Sequence, residues 1–204
     1  MESSHKAAAD RLAAEFDGTF SRETVESYLL DSAARWDDAP VRTHVTILAE
    51  RFTRERLQAA AQSEGRMTKD VPEVLFVCVH NAGRSQMAAA LLDHHSMGKV
   101  HVRSAGSAPA NEIDPAVGAV MEEIGVDADK SFPKPLTEEV VAAADVVVTM
   151  GCGDACPVFP GIRYLDWDVP DPHGRPIEDV REIRDAIEQR VMSLMDELVP
   201  ASRP

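Results

Sequence analysis

The run Val74-Leu75-Phe76-Val77 contains no polar residue, and shortly after it the chain turns to Gln86-Met87-Ala88-Ala89-Ala90-Leu91-Leu92. A β-rich apolar run followed by an alanine- and leucine-rich one reads as a strand, a tight loop and the start of a helix. The alternation then repeats. A second strand reads Val100-His101-Val102-Arg103-Ser104-Ala105, closed by Gly106, and a helix follows from Asp114, with Pro115 in its first turn and Gly125 past its end. Pro133 and Pro135 mark a loop, and Thr137 caps a short helix that carries Glu138 and Glu139. The third strand is Asp145–Met150 and a short fourth lies around Tyr164-Leu165. The last helix spans about 177–198, with Ile183, Ile187, Val191, Leu194 and Leu198 on one stripe. Continuous apolar strands alternating with helices predict an α/β fold: a four-stranded parallel sheet with helices on both faces. Ligands of such sheets bind at the carboxyl ends of the strands. Cys78, the segment 150–156 and the loop carrying Asp171 all fall there.

The first 70 residues read differently. Leu12 and Phe16 share a helical face; Val25, Tyr28, Leu29 and Trp36 follow helical spacing after a Ser21 N-cap; a third stripe runs Val41, Val45, Leu48, Phe52. Three helices are expected, over about 6–16, 22–36 and 41–62. Ser63–Pro72 is polar, aperiodic and breaker-bearing, hence a linker. The expected division is 1–70, a small three-helix bundle with its linker, and 71–204, an α/β domain. So short a bundle has a thin core, which suggests packing on a neighbour or a homodimer through these helices. His5 and His44 lack ligand spacing and read as solvated or core residues.

Net charge is −14, from 21 basic and 35 acidic side chains. That disfavours nucleic acid or an anionic membrane as partner, since both need basic surface. No run approaches a membrane span and the polar N-terminus lacks a signal-peptide core, so a cytoplasmic location is expected. The chain has three cysteines, Cys78, Cys152 and Cys156. A sparse, odd set of this kind suits reactive or metal-binding thiols better than a structural disulfide framework.

The chemistry begins in the loop after the first strand, Cys78-Val79-His80-Asn81-Ala82-Gly83-Arg84-Ser85. A cysteine and an arginine at this spacing wrap a loop around one tetrahedral oxyanion. The backbone N–H groups from Val79 to Ser85 point at a common centre and Arg84 adds a planar fork of donors. Cys78 sits in the same positive field as a thiolate nucleophile, and Ser85 can donate its hydroxyl to the sulfur. Asn81 can bridge turns of the loop, and Gly83 permits a positive φ. The other reading of Cys78 is a buried thiol ending a core strand. Asp171-Pro172 is either a turn or the site of a general acid that protonates a leaving oxygen. Cys152 and Cys156, four apart, can lie one helical turn from each other, roughly 6 Å between Cα atoms and within disulfide range. Zinc ligation and burial as inert thiols are the competing uses, and the former lacks a nearby His or second pair.

These stretches, in this order, resemble the low-molecular-weight protein tyrosine phosphatase family. Within it they look most like thioredoxin-coupled arsenate reductases of the three-cysteine type. The resemblance rests on Cys78–Ser85, Ser104-Ala105-Gly106, Val147–Cys152 with Cys156-Pro157, and Asp171-Pro172. The three leading helices are similar to a bundle in some actinobacterial-type members. The resemblance implies that Cys78 attacks arsenate held by Arg84 while Asp171 protonates the departing hydroxyl. It further implies that Cys152 attacks Cys78, releasing arsenite, and that Cys156 then moves the disulfide to Cys152–Cys156 for thioredoxin to reduce. Phosphate and sulfate would compete for the loop. No bound cofactor or metal is implied. Some relatives bind potassium through an acidic residue in the helix after the loop, where this chain has Ala89, so no potassium requirement is expected. A mycothiol-using class typically lacks the two later cysteines. The alternatives are a tyrosine phosphatase working through a Cys78 phosphocysteine with Asp171 as acid, and a non-enzymatic oxyanion or thiol sensor.

Overall fold

A computed structural model describes residues 3–36, 45–127, 131–153 and 156–199. The chain divides into two compact units, Met1–Thr68 and Lys69–Pro204.

The first unit holds α1 (Ser3–Glu15), α2 (Arg22–Ala34) and α3 (Val45–Ser63). The Ser21 side chain accepts from the Thr24 N–H, so α2 starts where its cap predicts. Leu12, Phe16, Val25, Leu29, Ala49 and Leu57 form one buried cluster. The expected start of α3 and its members Val41 and His44 lie outside the described residues. Where α3 is described, its buried face is turned from the expected stripe. Ala49, Phe52, Thr53, Arg56, Leu57 and Ala60 are inside, while Val45 and Leu48 are half-buried. Arg56 is the cause of part of this shift. Its guanidinium donates to Asp31 at 2.6 Å and to Ser32 Oγ at 3.1 Å and lies 4.8 Å from the centre of the Tyr28 ring. A paired arginine of this kind can be buried. Leu12, Phe16, Val25 and Leu29 of the apolar stripes are buried within the unit, while Leu30 and Ile47 are exposed. His5 has a buried Nε2 with no hydrogen-bond partner among the described residues.

The second unit is the parallel sheet, β1 (Glu73–Cys78), β2 (His101–Gly106), β3 (Val146–Met150) and β4 (Arg163–Asp166), in the order β2-β1-β3-β4. Helices flank it: α4 (Arg84–Ser96), α5 (Pro115–Glu122), α6 (Glu138–Ala142) and α7 (Ile177–Leu198). Every residue of β1 is buried, as its unbroken apolar run requires of a central strand. Val74, Phe76, Val146 and Val148 face one side and pack with Met87 and Leu91 of α4, Val117 of α5, and Ile183, Ile187, Val191 and Leu194 of α7. Asp114 caps α5 by accepting from the Ala116 N–H, with Pro115 in the first turn. Glu73, the one charged residue of β1, is buried against Arg103 and near His101 of β2. Those contacts hold its carboxyl below the ordinary range although burial opposes them.

Strand register fixes where the site lies. Cys78 pairs with Gly106 on one side and Met150 on the other, and Thr149 with Asp166. The carboxyl ends of all four strands therefore open at one edge of the sheet.

Candidate active site

The loop between β1 and α4 is built by its carbonyls. Those of Cys78, Val79, His80 and Ala82 accept from the N–H groups of Ser107, Ala108, Ala110 and Asp114 in the segment after β2. The Asn81 carbonyl accepts from Gln86 Nε2 at 3.0 Å, and that of Gly83 from the Met87 N–H at 2.9 Å. A planar peptide directs its N–H opposite to its C=O. Carbonyls drawn outward thus leave the amides facing the loop's centre, an anion-binding nest at the start of α4.

Two glycines and an asparagine make this geometry possible. The positive φ falls on Asn81, at 47°, and not on Gly83, whose φ is −132°. Asparagine tolerates the left-handed region because its short amide can bond locally. Gly83 is required for space instead: a Cβ there would lie 2.7 Å from Pro172 Cγ. Gly106 is required likewise, since a Cβ would meet the Val79 carbonyl at 2.6 Å.

Cys78 is 2 % exposed, a free thiol at the base of the loop. Its sulfur accepts from the Asn81 N–H at 3.2 Å and lies 2.9 Å from Ser85 Oγ. The direction of that second bond is set by its neighbours. The Lys134 backbone N–H can only donate, and it donates to Asn81 Oδ1 at 2.8 Å. That turns Asn81 Nδ2 toward Ser85, to which it donates at 2.8 Å. The Ser85 oxygen is thereby occupied as acceptor and its proton is free for Cys78. A chain of donors from the 132–135 loop ends on the sulfur. Gln86, 1 % exposed, supports it from below with Nε2 on Asn81 Oδ1 and on the Phe132 carbonyl. Sequence reasoning passed over Gln86 and Lys134, because neither residue type signals a role in supporting a loop.

Arg84 enters the same space from the first turn of α4. Its Nη2 is 2.7 Å from Asp171 Oδ2, and its Nη1 reaches the Val169 carbonyl at 3.4 Å. Asp171 Oδ1 also accepts from the His173 N–H at 3.1 Å. Gly151 lies against the other side of the guanidinium: a Cβ there would be 2.8 Å from Nη1, and its φ is +73°. Cys78, His80, Ala82, Gly83, Arg84 and Asp171 line a cavity of about 420 Å³, whose far wall runs from Ala110 to Pro115.

Cys152 is two residues past Met150, the β3 partner of Cys78. It is buried and free. Burial pushes its thiol up, and the nearby charge of Cys78 acts in the same direction. Cys156 is half-buried, and burial raises it to about 11. The helical turn expected to join the pair would run through residues 154 and 155, which lie outside the described residues. Both cysteines lie in irregular chain between β3 and β4. Gly151 and Gly153 are both at positive φ. Among the described residues no group of three His, Cys, Asp or Glu side chains could hold a metal ion.

The family described as low molecular weight phosphotyrosine protein phosphatase matches residues 73–202. The chain belongs to that family. A second family, the protein-tyrosine-phosphatase-like N-terminal domain, matches residues 5–61. A thioredoxin-dependent arsenate reductase from Corynebacterium glutamicum has a solved structure that is 46% identical, with a TM-score of 0.87 over 95% of this chain and 96% of that one. A putative arsenate reductase from Halobacterium salinarum is 38% identical over 130 residues, 61% of this chain and 92% of the relative. A structure described as an arsenate reductase in the phosphate binding state is 30% identical, with a TM-score of 0.57 over 63% of this chain and 99% of that one. The likeness to the Corynebacterium protein, at 95% of this chain, takes in most of the leading helices.

Proposed function

We propose that this protein reduces arsenate to arsenite through a Cys78, Cys152, Cys156 relay, with thioredoxin as the external reductant. The observation that carries the reading is the placement of Cys152. It stands just beyond the β3 partner of Cys78, close enough for the charge of Cys78 to act on its thiol. A phosphatase has no use for a second thiol there. The likeness to a thioredoxin-dependent arsenate reductase over nearly the whole chain supports the same conclusion.

Arsenate binds in the loop, on its inward amides and Arg84. The Cys78 thiolate forms a sulfur–arsenic bond while Asp171 gives its proton to the departing hydroxide, which leaves as water. Cys152 then attacks the Cys78 sulfur and loses its proton. A disulfide forms, the sulfur–arsenic bond breaks, and its electron pair stays on arsenic, which departs as arsenite. The two thiols give up the two electrons that arsenic gains. Once Cys78 is bonded to arsenic, its thiolate charge no longer adds to the burial that disfavours ionisation of Cys152. Cys156 carries the disulfide outward to thioredoxin. Phosphate and sulfate, as tetrahedral oxyanions, compete for the loop.

The test is arsenite production by the full chain with thioredoxin, thioredoxin reductase and NADPH, set beside a mycothiol-based system. Turnover with the first set and none with the second is expected; turnover with mycothiol alone overturns the choice of reductant. A phosphatase reading shares the loop and Asp171 and gains from a cavity larger than an oxyanion needs. It predicts that replacing Cys152 changes nothing.

A further inference from the structure

One side chain outside the anion loop ties the third cysteine to the sheet. Tyr164 lies on β4, paired with Val147 of β3. Its hydroxyl accepts from the Phe159 N–H at 2.9 Å and donates to the Pro157 carbonyl at 3.1 Å. That same carbonyl takes the weak S–H contact of Cys156, at 3.8 Å from Sγ. The stretch after Cys156 is thus closed on itself around one hydroxyl. Val158 within it is 78% exposed.

We propose that Tyr164 is a latch on the relay: its hydroxyl holds Cys156 retracted against Pro157, and release of this hold limits formation of the final disulfide. The proposal rests on the reductase reading above. In the step concerned, Cys156 loses its proton to solvent and its sulfur attacks Cys152 Sγ. The Cys152–Cys156 bond forms, the Cys78–Cys152 bond breaks, and Cys78 leaves as a thiolate, with no net oxidation or reduction. To make that attack the Cys156 sulfur must leave the Pro157 carbonyl and ionise. Its half-buried position, where the thiol sits at about 11, opposes both. Two neutral hydrogen bonds through Tyr164 bias the held state by about 10- to 100-fold. Tyr164 touches neither arsenate nor a reacting sulfur, so its role is positioning.

The test is Tyr164→Phe in the full, reduced chain, with iodoacetamide labelling of each cysteine and mass spectrometry as the readout. Labelling of Cys156 should rise about tenfold while Cys78 stays within about twofold of the parent. In a single turnover with arsenate and no thioredoxin, the arsenite burst should keep its rate, and conversion of Cys78–Cys152 to Cys152–Cys156 should accelerate. Unchanged Cys156 labelling overturns the latch. So does a parallel rise at all three cysteines, which marks general loosening, and so does a slower disulfide conversion, which marks an anchor. Labelling needs neither arsenate nor thioredoxin. Absence of an arsenite burst in the parent would therefore overturn the reductase reading, while the labelling result still decides whether Tyr164 restrains Cys156.

Discussion

Arg84 Nη2 and Asp171 Oδ2 are paired at 2.7 Å across the mouth of the anion loop. The guanidinium is largely buried and the carboxylate 44% exposed at its side chain, so an arriving oxyanion competes with Asp171 for the same donors. The contact keeps the proposed acid within reach of the anion's oxygens and also occupies the proposed anchor.

Asp171→Asn separates those effects. The amide keeps the shape, cannot give up a proton, and no longer neutralises Arg84. The expected result is a fall in kcat of about 10²- to 10⁴-fold, together with tighter competitive inhibition by phosphate. Steady-state arsenite production at several phosphate concentrations reads both. A kcat within twofold of the parent would remove Asp171 from the mechanism.

The two later cysteines are expected to fail differently. Cys152→Ser should release no arsenite, since nothing then attacks the Cys78 adduct. Cys156→Ser should release one equivalent and stop as a Cys78–Cys152 disulfide, visible by mass spectrometry after alkylation. Thioredoxin-driven turnover persisting in both variants rules out the relay.

Gly151→Ala tests the packing against Arg84. A methyl group 2.8 Å from Nη1 must displace the guanidinium, and its backbone sits at a φ of +73°. The left-handed conformation alone costs about 1–2 kcal/mol for a residue with a Cβ, a fall in Tm of about 2–8 °C for a chain of this size. KM for arsenate should rise about tenfold or more, the loss expected for one charge-assisted contact. An unchanged KM would show that Arg84 has room to move aside.

Labelling of Cys156 should rise with pH through a midpoint near 11. Proton counting gives the sign of the accompanying stability change. Between the ordinary cysteine value and 11 the native state keeps the proton that the unfolded chain has lost, so the unfolded state binds fewer protons and stability falls as pH rises. Denaturant midpoints at pH 8 and 10.5 compared with those of Cys156→Ser measure it: the variant should lose less stability over that interval. An equal loss in the two proteins would mean that Cys156 titrates as an ordinary thiol.

The Ser21 cap, the α7 stripe and the strand-loop-helix around Cys78 were all legible in the sequence, because each is a local pattern set by neighbours a few residues away. Other features resisted reading because their causes are distant in the chain. The burial of Arg56 depends on Asp31, Ser32 and Tyr28, more than twenty residues earlier in the chain. Gly83 was read as a source of positive φ, yet the space it leaves is filled by Pro172.

The sequence by itself determined the parallel sheet and the identity of the loop, because hydrophobic period and a cysteine-to-arginine spacing are properties of contiguous chain. Only the tertiary structure decided that β1 lies between β2 and β3. That order sets Gly106 beneath the loop and Cys152 beside Cys78. It turns the Lys134 N–H onto Asn81, so that the Ser85 proton is left for the sulfur. Hydrogen-bond register across strands far apart in sequence brings these groups together, and no local pattern encodes it.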